Sequence, residues 1–504
     1  MTLFKTAIKS AIVCFALIPL TALASNYDFS FLTQNIEKTK TIAGIPSGTS
    51  IIAVKGDQIV FQAHIGFADI ANQIKVTKNT PYYIASVTKP FMALNVLLDM
   101  EDNRLPSNLQ LSTMLPELDV KGLNEQMVGI KQLLSHTSAI DNYPLVLASA
   151  YSGLHDEKSL ISLANNYSIK EPHDLGTFKY TNVGYNLYSI FADQYFDDNW
   201  QTRLRTQLFD PLSMTSTSAT RTFYDEQKLK VAKPYSLMVS SLPNALPLEK
   251  QDATMHSAGG MYSSASDLAK FLIAQLNQGK VDGVQVFPAN VITKSHQQQV
   301  TTNANYMDFQ RDGYAWGWYT GIYKGENMLH HFGGFSGTHA HLSFMPKSKL
   351  GLVVINNEDF LSSKLTAVIA DFIYGKLLNE NDIENQVAKR FESLNSKLVN
   401  IENMLTKQQQ KIAERKMNLS LPIGAYQGQY QHPDLGTMVL SISQDNELKV
   451  NWGQMNSTVS GFNKLDVIRV TLKPTNGEII MFEVKERVIS LTYQGIKFSR
   501  QYKD

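Results

Sequence analysis

The sequence predicts an α+β protein. We expect one antiparallel sheet flanked by helices, with an all-helical subregion, followed by a small antiparallel barrel-like domain. Strand-like segments occur near both ends of the first 380 residues with helical segments between them, a pattern typical of one sheet covered by helices. From Leu421 onward the apolar residues recur instead at every second position, as in half-buried strands.

The composition is that of an ordinary globular protein. The chain has 504 residues, 43% hydrophobic and 18% charged, with a formal net charge of +1. This length suggests two or more domains. No dense block of Lys and Arg occurs, so no nucleic-acid partner is predicted. The single cysteine, Cys14, lies in a segment that we expect to be removed, which excludes disulfides, a cysteine nucleophile and Cys-type zinc sites.

Residues 1–24 are typical of an export signal. Lys5 and Lys9 precede the apolar run Ser10–Leu20, and Ala22–Ala24 forms a small-x-small cleavage site. The apolar run is short for a bilayer span, although an uncleaved anchor is the alternative. We therefore expect a periplasmic or secreted protein with no stable membrane span after cleavage.

Helices and strands alternate along the first unit. Lys55-Gly56-Asp57 is a hairpin signal between two strands, and Ser264 or Ser266 is placed to cap a helix. Helical patterns, some with a loop at one end, cover Phe29–Ala43, Ile130–Ser138, Thr177–Phe191, Ser257–Leu272 and Leu361–Leu378. Strand patterns cover Gly48–Ala53, Gln58–Ala63, Gly313–Tyr319, His331–Phe344 and Leu350–Asn356.

Three parts are predicted after the signal: a first unit over 25–380, a connector helix over 381–416 and a β domain over 417–504. The connector has a narrow apolar seam over Ile383–Ile412, which predicts a helix of about thirty residues. Such a helix either lies on its own domain or forms a dimerising coiled coil. The strands of the β domain are predicted at Met438–Ser443, Leu448–Trp452, Val467–Leu472 and Ile479–Val484.

The segment Pro81–Asn95 carries the first candidate chemistry. A short extended run breaks into a helix on which Ser86 and Lys89 are spaced i and i+3, so both side chains lie on one face within hydrogen-bond reach. A serine hydroxyl becomes a nucleophile when a base takes its proton, and a lysine with a lowered pKa can act as that base. A Ser-x-x-Lys pattern taken alone is equally typical of an ordinary helix start, in which the serine lies near the N-terminus and the lysine is solvated.

Two further segments offer the remaining parts of a hydrolase. A tyrosine beside ammonium groups can have its pKa depressed, so Tyr180 is a candidate proton carrier. Asn182 can donate to and accept from a substrate amide, although Thr-Asn before a helix is also a capping signature. The glycines after His331-Phe332 allow a substrate to approach the backbone, which can then supply an oxyanion N–H group.

These segments together resemble the serine β-lactamase and penicillin-binding-protein superfamily, most closely its class C-like branch, which includes D-aminopeptidases, DD-peptidases and carboxylesterases. The resemblance covers Ser25–Leu378 and implies a β-lactamase/transpeptidase-like fold without cofactor or metal. More loosely, the C-terminal segment resembles the lipocalin-like β domain of some members. The matching motifs are Ile84–Lys89, Leu133–Ser138, Phe178–Tyr185, Ser257–Gly260, Tyr314–Trp318 and His331–Gly334.

The resemblance implies a role for each reactive residue. Ser86 would attack the substrate carbonyl and form an acyl-enzyme, while Lys89 and Tyr180 would share the general-base and general-acid work, with the division between them open. The N–H groups of Ser86 and Gly334 would form the oxyanion hole.

Substrate binding is assigned in the same way to Asn182, His331 and Gly333. Asn182 would orient the acyl side chain, and His331 would hydrogen-bond Tyr180 or a substrate carboxylate. The sequence departs from the family at this motif: dedicated class C β-lactamases have Lys-Thr-Gly, so here a weaker, pH-dependent cation replaces a permanent ammonium. Ala139 stands where many relatives have glycine.

The sequence contains two other histidine patterns. His330, His331, His339 and His341 cluster in sequence, but no carboxylate or cysteine accompanies them, which argues against a zinc site. His136 could belong to a Ser-His triad; the resemblance makes it structural.

The function that we predict is that of an exported serine hydrolase, acting on esters, amides or D-amino-acid peptides. Its partner would be a small-molecule or peptide substrate, and the cell wall is one source of such a substrate. One alternative is a class C-like β-lactamase or penicillin-binding DD-peptidase. From another class, the alternative is a non-catalytic protein that binds or senses peptidoglycan or β-lactams.

Overall fold

The computed structural model describes residues 27–239 and 241–502, so the predicted export signal and Cys14 lie outside the described residues. The helices of the described residues are α1 (Ser30–Ile42), α2 (Thr88–Glu101), α3 (Leu111–Met114), α4 (Ile130–Leu134), α5 (Tyr143–Leu147), α6 (Glu157–Tyr167), α7 (Val183–Tyr195), α8 (Trp200–Leu204), α9 (Thr222–Glu226), α10 (Ala265–Leu276), α11 (Ala289–Ser295), α12 (Phe360–Leu377), α13 (Ile383–Leu398) and α14 (Ile401–Ala413). None of these helices is long and apolar enough to cross a membrane.

The strands fall into two groups. Those of the first unit are β1 (Thr49–Lys55), β2 (Gln58–Ile65), β3 (Phe67–Asp69), β4 (Ile74–Lys75), β5 (Tyr82–Tyr83), β6 (Ile140–Asp141), β7 (Ile169–Lys170), β8 (Tyr262–Ser263), β9 (Lys280–Val281), β10 (Val284–Gln285), β11 (Val300–Tyr306), β12 (Phe309–Tyr314), β13 (Tyr319–Tyr323), β14 (Glu326–Phe335), β15 (Thr338–Met345) and β16 (Leu350–Asn356). Those of the second group are β17 (Gly428–His432), β18 (Gly436–Ile442), β19 (Leu448–Trp452), β20 (Met455–Thr458), β21 (Ser460–Gly461), β22 (Val467–Val470), β23 (Glu478–Val484), β24 (Val488–Tyr493) and β25 (Ile496–Gln501).

The predicted fold class is confirmed. The first unit is built on an eight-stranded sheet in the order β11-β12-β13-β14-β15-β16-β1-β2, in which every neighbouring pair is antiparallel. The C-terminal region is a nine-stranded antiparallel sheet, in the order β20-β19-β18-β17-β25-β24-β23-β22-β21, that curls into a nearly closed barrel. The boundaries of the three predicted parts stay predictions.

The central strands are apolar on both faces because helices cover both. On β1, Ile52 and Val54 belong to one apolar core and the alternating Ile51 and Ala53 to the other. Helix α10 packs on β1 and β16 from one side, and α12 packs on β15 and β16 from the other. This double burial explains why these strands read as continuous apolar runs.

Helix α2 lies inside the first of these cores. Every residue from Thr88 to Asp99 is buried, and Phe91 stacks on Phe271 of α10 with ring centroids 3.8 Å apart. A helix that is covered on all sides is fixed in orientation. It therefore gives the side chains at its start a rigid support.

The predicted single strand His331–Phe344 is wrong, because the segment is a hairpin. Strands β14 and β15 pair up to Phe335 and Thr338, and the chain reverses through Ser336 and Gly337. Gly337 has φ +78° and lies so close to Pro234 that a Cβ would overlap with it. The turn is therefore marked in the sequence by a single glycine within an apolar stretch. The alternation of apolar and polar residues does not reveal it.

The connector is two helices rather than the one of about thirty residues that the seam predicts. Helix α13 ends at Leu398, and α14 begins at Ile401. Between them lie Val399, which is 65% exposed, and Asn400, a residue type of low helix propensity.

The seam of α13 is covered by the chain's own helices. Val387, Phe391, Leu394 and Leu398 are buried, and α13 packs on α1 and α12. This part of the seam is therefore not free to join a second copy. The coiled-coil dimer stays a prediction.

The barrel contacts the first unit through α5 and the segment that follows it. The N–H of Gln454 donates to the carbonyl of Ser152 at 2.9 Å, and Lys473 Nζ donates to the hydroxyl of Tyr143 at 2.9 Å. Gly453, between β19 and β20, approaches Ser152 too closely for a side chain. The barrel is therefore held against the helical part of the first unit by backbone and side-chain contacts.

Replacing Phe391 with alanine should destabilise the protein by about 3 kcal/mol, since it removes a buried ring from the contact of α13 with α1 and α12. The matched control Val399→Ala, at an exposed position next to the same helix, should change stability by at most about 0.5 kcal/mol. The thermal unfolding midpoint, measured at two protein concentrations, should fall equally at both. A wild-type midpoint that rises with protein concentration, with a larger fall in Phe391→Ala at the higher concentration, would show that the seam joins two copies instead.

Candidate active site

The turn that carries Ser86 is backbone-strained. Between β5 and α2 the chain makes one 3₁₀ turn, Ala85–Val87, and Ala85 has φ +45°, a left-handed conformation that is unfavourable for a residue with a Cβ. The turn is held by Thr88 Oγ1, which donates to the carbonyl of Ala85 at 2.7 Å. Ser86 stays partly exposed while its two neighbours are buried, so it is the residue of this turn that a substrate can reach.

Lys89 connects three segments of the site. Its Nζ lies 3.1 Å from Ser86 Oγ, 2.8 Å from Asn182 Oδ1 and 2.7 Å from the carbonyl oxygen of Ala258. As an ammonium, it donates one hydrogen to each acceptor. As a neutral amine, it keeps the two donations to Asn182 and Ala258 and turns its lone pair toward the Ser86 hydroxyl. The same geometry therefore serves before and after proton transfer.

Burial lowers the pKa of Lys89 well below its ordinary value of 10.5. The side chain is fully buried, and its hydrogen-bond partners are neutral oxygens rather than carboxylates. Desolvation without a countercharge disfavours the ammonium form. The arrangement thus favours the neutral amine, which is the form that can accept a proton from serine.

The predicted depression of the Tyr180 pKa is wrong. The Tyr180 ring lies 4.8 Å from Lys89 Nζ, and its phenol hydrogen-bonds with Ser86. About a third of the residue's surface is exposed, but the phenol group is surrounded by protein. This desolvation, together with the nearby Tyr319 phenol, raises the pKa of Tyr180 well above its ordinary value, because the hydrogen bond with Ser86 lowers it by less. Tyr180 is therefore a neutral phenol in contact with the serine.

The loop before α7 is held by His136. The N–H of Thr181 donates to His136 Nδ1 at 3.3 Å, and the N–H of Lys179 donates to the carbonyl of His136 at 2.9 Å. The His136 ring also contacts the Tyr180 ring at 4.5 Å between centroids. These contacts give His136 a positioning role, and its Nε2 has no hydrogen-bond partner among the described residues, so it activates no serine there.

Asn182 does not use its side chain as a helix cap. At the start of α7, Thr181 Oγ1 instead accepts the N–H of Val183 at 3.1 Å, which leaves Asn182 Oδ1 free to bind Lys89. The Asn182 side chain therefore reaches the site, where its amide is also within reach of a substrate.

His331 is not the pH-dependent cation that the sequence predicts. Its Nδ1 donates to the carbonyl of Phe332 at 2.8 Å, so Nε2 accepts from the hydroxyl of Tyr314 at 3.2 Å. The residue is buried, and desolvation, with Lys89 as the next cause, holds its pKa well below its ordinary value. It hydrogen-bonds Tyr314 rather than Tyr180, and its imidazole is neutral.

Gly333 brings β14 against the Ser86 turn. An ideal Cβ at this glycine would overlap with the carbonyl oxygen of Ile84 and would lie 3.2 Å from Ser86 N. Residues 331–335 of β14 continue past the last pair with β13, so one edge of this stretch is unpaired. Gly334 lies in this stretch and is exposed, and no heavy atom lies within 4 Å of the position that a Cβ would take there. The two predicted oxyanion donors, the N–H groups of Ser86 and Gly334, thus belong to segments that meet at Gly333.

Of the other clustered histidines, His339 and His341 hydrogen-bond to hydroxyl groups, whereas neither ring nitrogen of His330 has a hydrogen-bond partner among the described residues. His339 lies 3.3 Å from both the Tyr306 hydroxyl and Thr366 Oγ1, and His341 lies 2.7 Å from Ser343 Oγ. Within the described ranges, no group of three His, Cys, Asp or Glu side chains is arranged to hold a metal ion.

Sequence reasoning missed three groups that shape the site. The carbonyl of Ala258 holds Lys89, but a backbone oxygen leaves no residue signal beyond the glycine motif that follows it. The hydroxyl of Tyr314 fixes His331, and only its place in the Tyr314–Trp318 motif could have indicated it. Arg311 stacks on Tyr319 near Tyr180, and it belongs to no motif.

Comparisons with known proteins identify the family and the fold of the chain. A family model described as Beta-lactamase matches residues 32–370. Protein flp of Staphylococcus aureus is 26% identical over 340 residues, 66% of this chain; the match spans 63% of that relative, less than two thirds of its length.

Two solved structures share the fold. The octameric penicillin-binding protein homologue from Pyrococcus abyssi has a TM-score of 0.60 at 18% identity, over 94% of this chain and 100% of that one. The D-amino acid amidase from Ochrobactrum anthropi SV3, solved with L-phenylalanine amide, has a TM-score of 0.52 at 20% identity, over 72% of this chain and 98% of that one. At these identities the two structures establish the fold alone.

A Gly333→Ala substitution should slow the labelling of Ser86 by a fluorophosphonate by about 100-fold, because the added methyl pushes β14 away from the Ser86 turn and misplaces an oxyanion donor. The labelling rate is read by intact-protein mass spectrometry. The control Gly424→Ala, which adds a methyl in open space in the barrel region, should label at the wild-type rate. Equal rates for wild type and Gly333→Ala would show that this contact does not position the site.

Proposed function

The chain belongs to the β-lactamase family, and on that premise we propose that it is an exported serine hydrolase that forms an acyl-enzyme on Ser86. The fold family consists generally of serine hydrolases. The observation that carries the proposal is the 3.1 Å contact between Ser86 Oγ and the amine of Lys89, a buried lysine whose contacts in the site are neutral oxygens. A solvated lysine at an ordinary helix start would have none of these features.

In the acylation step, neutral Lys89 takes the hydroxyl proton of Ser86 as Oγ bonds to the substrate carbonyl carbon. The carbonyl electron pair moves onto oxygen, where the N–H groups of Ser86 and Gly334 stabilise it, each by about 3 kcal/mol in comparable systems. The tetrahedral intermediate then reforms the carbonyl and expels an alcohol or amine. The proton taken by Lys89 passes to this leaving group, and water releases the acyl group by the reverse sequence.

The two proton-carrying residues differ in their pKa shifts, and we divide the work accordingly. A lowered pKa suits Lys89 to the role of base. A raised pKa keeps Tyr180 protonated, so that its phenol can pass a proton between Lys89 and the leaving group while contacting Ser86. Lys89 is therefore the general base, and Tyr180 relays the proton to the leaving group.

Esters, amides and D-amino-acid peptides are the proposed substrates, and the chain is proposed to lie in the class C-like branch. The names of the solved relatives, an amidase for D-amino acids and a penicillin-binding protein homologue, support acyl transfer on small amides or peptides. The neutral His331 at the third motif lacks the ammonium of dedicated class C β-lactamases, which supports a hydrolase other than a β-lactamase.

Export and the identity of the C-terminal domain complete the proposal. The charged, apolar and small-residue pattern of residues 1–24 supports a periplasmic or secreted location. The nearly closed antiparallel barrel of nine strands supports a lipocalin-like domain.

A fluorophosphonate should form a covalent adduct on Ser86, and Ser86→Ala should abolish both the adduct and the hydrolysis of chromogenic esters. The chain offers a matched control in Ser47, which accepts from the buried Lys40 at 3.0 Å; burial lowers the pKa of that lysine to about 8. Ser47→Ala should keep the adduct and the activity. Peptide mapping that finds no adduct on Ser86, together with equal activity in Ser86→Ala, would contradict the proposal and favour a binding protein.

The rate of Ser86 labelling should rise with pH and level off well below pH 10.5. The reason is that only the neutral amine of Lys89 accepts a proton, and its lowered pKa moves the rising limb to lower pH. Lys89→Arg should slow labelling by roughly 1,000-fold, since a guanidinium is not deprotonated in this range. A rising limb centred near pH 10.5 in the wild type would contradict a depressed lysine pKa.

A further inference from the structure

A groove lies between α12 and α13, on the side of the sheet away from Ser86. Its volume is about 380 Å³. Ala367 and Val368 of α12 and Leu394 of α13 form an apolar floor, and Met307, which is 46% exposed, also lines it. The floor residues belong to the second apolar core, whereas α2 lies in the first. This α12–α13 groove is therefore separate from the candidate active site.

Lysines border the α12–α13 groove on both helices. Lys364 of α12 is partly exposed, and Lys389 and Lys397 of α13 are exposed. The ion pairs that α12 and α13 make in the described part of the chain involve other residues, and none of them includes these three lysines. Three ammonium groups without a carboxylate partner thus surround one apolar floor.

The carboxylates beside the groove are already engaged. Asp308, which also lines the groove, pairs with Arg390. Arg390 binds Asp371 at 2.6 Å as well, and Asp371 pairs with Lys324 at 2.7 Å. These contacts neutralise the guanidinium and its neighbours, and they leave the charge of the three lysines uncompensated.

Lys364 shows the effect of this excess charge. Burial lowers its pKa, the carboxylate of Glu358 opposes that shift, and Lys397 on the other helix lowers the pKa further. Glu358 is buried and committed to the start of α12, where it accepts the N–H groups of Phe360 and Ser362 at 2.8 Å each. An anion between Lys364 and Lys397 would relieve the repulsion between their two ammonium groups.

The size and the chemistry of the groove select the ligand. Ten of the described residues line it, whereas a stable protein partner contacts about 20–30 residues on each side, so a small molecule fits better than a protein. A small inorganic anion would pair with the lysines but leave the apolar floor uncovered. An acyl chain that ends in a carboxylate would do both, because the chain covers the floor and the carboxylate accepts from the ammonium groups.

We propose that the α12–α13 groove binds a long-chain fatty acid as its carboxylate anion. The carboxylate lies between Lys364 and Lys397, and the chain lies over Val368 and Leu394. This is a second ligand site, on the side of the sheet opposite Ser86, and it does not depend on the proposed hydrolase function.

Calorimetry with sodium laurate, kept below its critical micelle concentration, tests the proposal. Dodecyltrimethylammonium has a chain of similar length and the opposite charge, and acetate has the same headgroup without the chain. The wild type should bind laurate at least about tenfold more tightly than either comparison compound, the range of charge-assisted hydrogen bonds. Lys364→Gln combined with Lys397→Gln should weaken laurate binding by at least about tenfold.

The matched control is Lys407→Gln combined with Lys411→Gln, which removes the same charge from exposed positions of α14 that do not line the groove. It should keep the wild-type affinity. A wild type that binds laurate no better than dodecyltrimethylammonium or acetate overturns the proposal whether or not any variant folds. Wild-type affinity in the Lys364 and Lys397 double variant, or an equal loss in the control, also overturns it.

Two further measurements separate this ligand from other occupants. Laurate should bind equally well after Ser86 has been treated with a fluorophosphonate, and loss of binding would place laurate in the active-site cleft and contradict the proposal. Vesicles of phosphatidylglycerol should not bind the protein more tightly than vesicles of phosphatidylcholine. Binding to the anionic vesicles without binding to laurate would make the groove a membrane-docking surface instead.

Discussion

Lys89 belongs to α2, a helix that is buried on every side at this point. The hydrogen-bond partners of its amine are three neutral oxygens, and none of them is a carboxylate. A lysine elsewhere in the chain shows the usual solution: Lys324 pairs with Asp371 at 2.7 Å and with Glu380 at 2.6 Å. Without such a countercharge an ammonium is disfavoured, and the group becomes a base at moderate pH. The rest of the site depends on this, because a serine hydroxyl is inert without a base.

Burial keeps the other two titratable groups of the site, Tyr180 and His331, neutral. Tyr180 is a phenol with a raised pKa, and His331 is an imidazole with a lowered one.

Spacing predicted the parts of the site that local sequence determines. The i, i+3 relation brought Ser86 and Lys89 together, and the two-residue period indicated the barrel strands. The pKa directions of Tyr180 and His331 were not predictable, because burial and the partner Tyr314 come from distant segments. Arg311 was missed for the same reason, since its stacking depends on how β12 and β13 pair. One glycine turn divided the predicted strand at Gly337.

The central claim is that burial without a countercharge lowers the pKa of Lys89 well below its ordinary value, and titration of this lysine tests it most directly. The protein labelled with ¹³C at the lysine ε carbon can be followed by NMR across pH, with the Lys89 resonance assigned by its loss in Lys89→Met. Two other buried lysines, Lys40 and Lys250, have pKa values lowered to about 8 and about 7, so this assignment is essential. We expect a midpoint well below 10.5 for Lys89. A midpoint at its ordinary value, with the fold intact, would contradict the account.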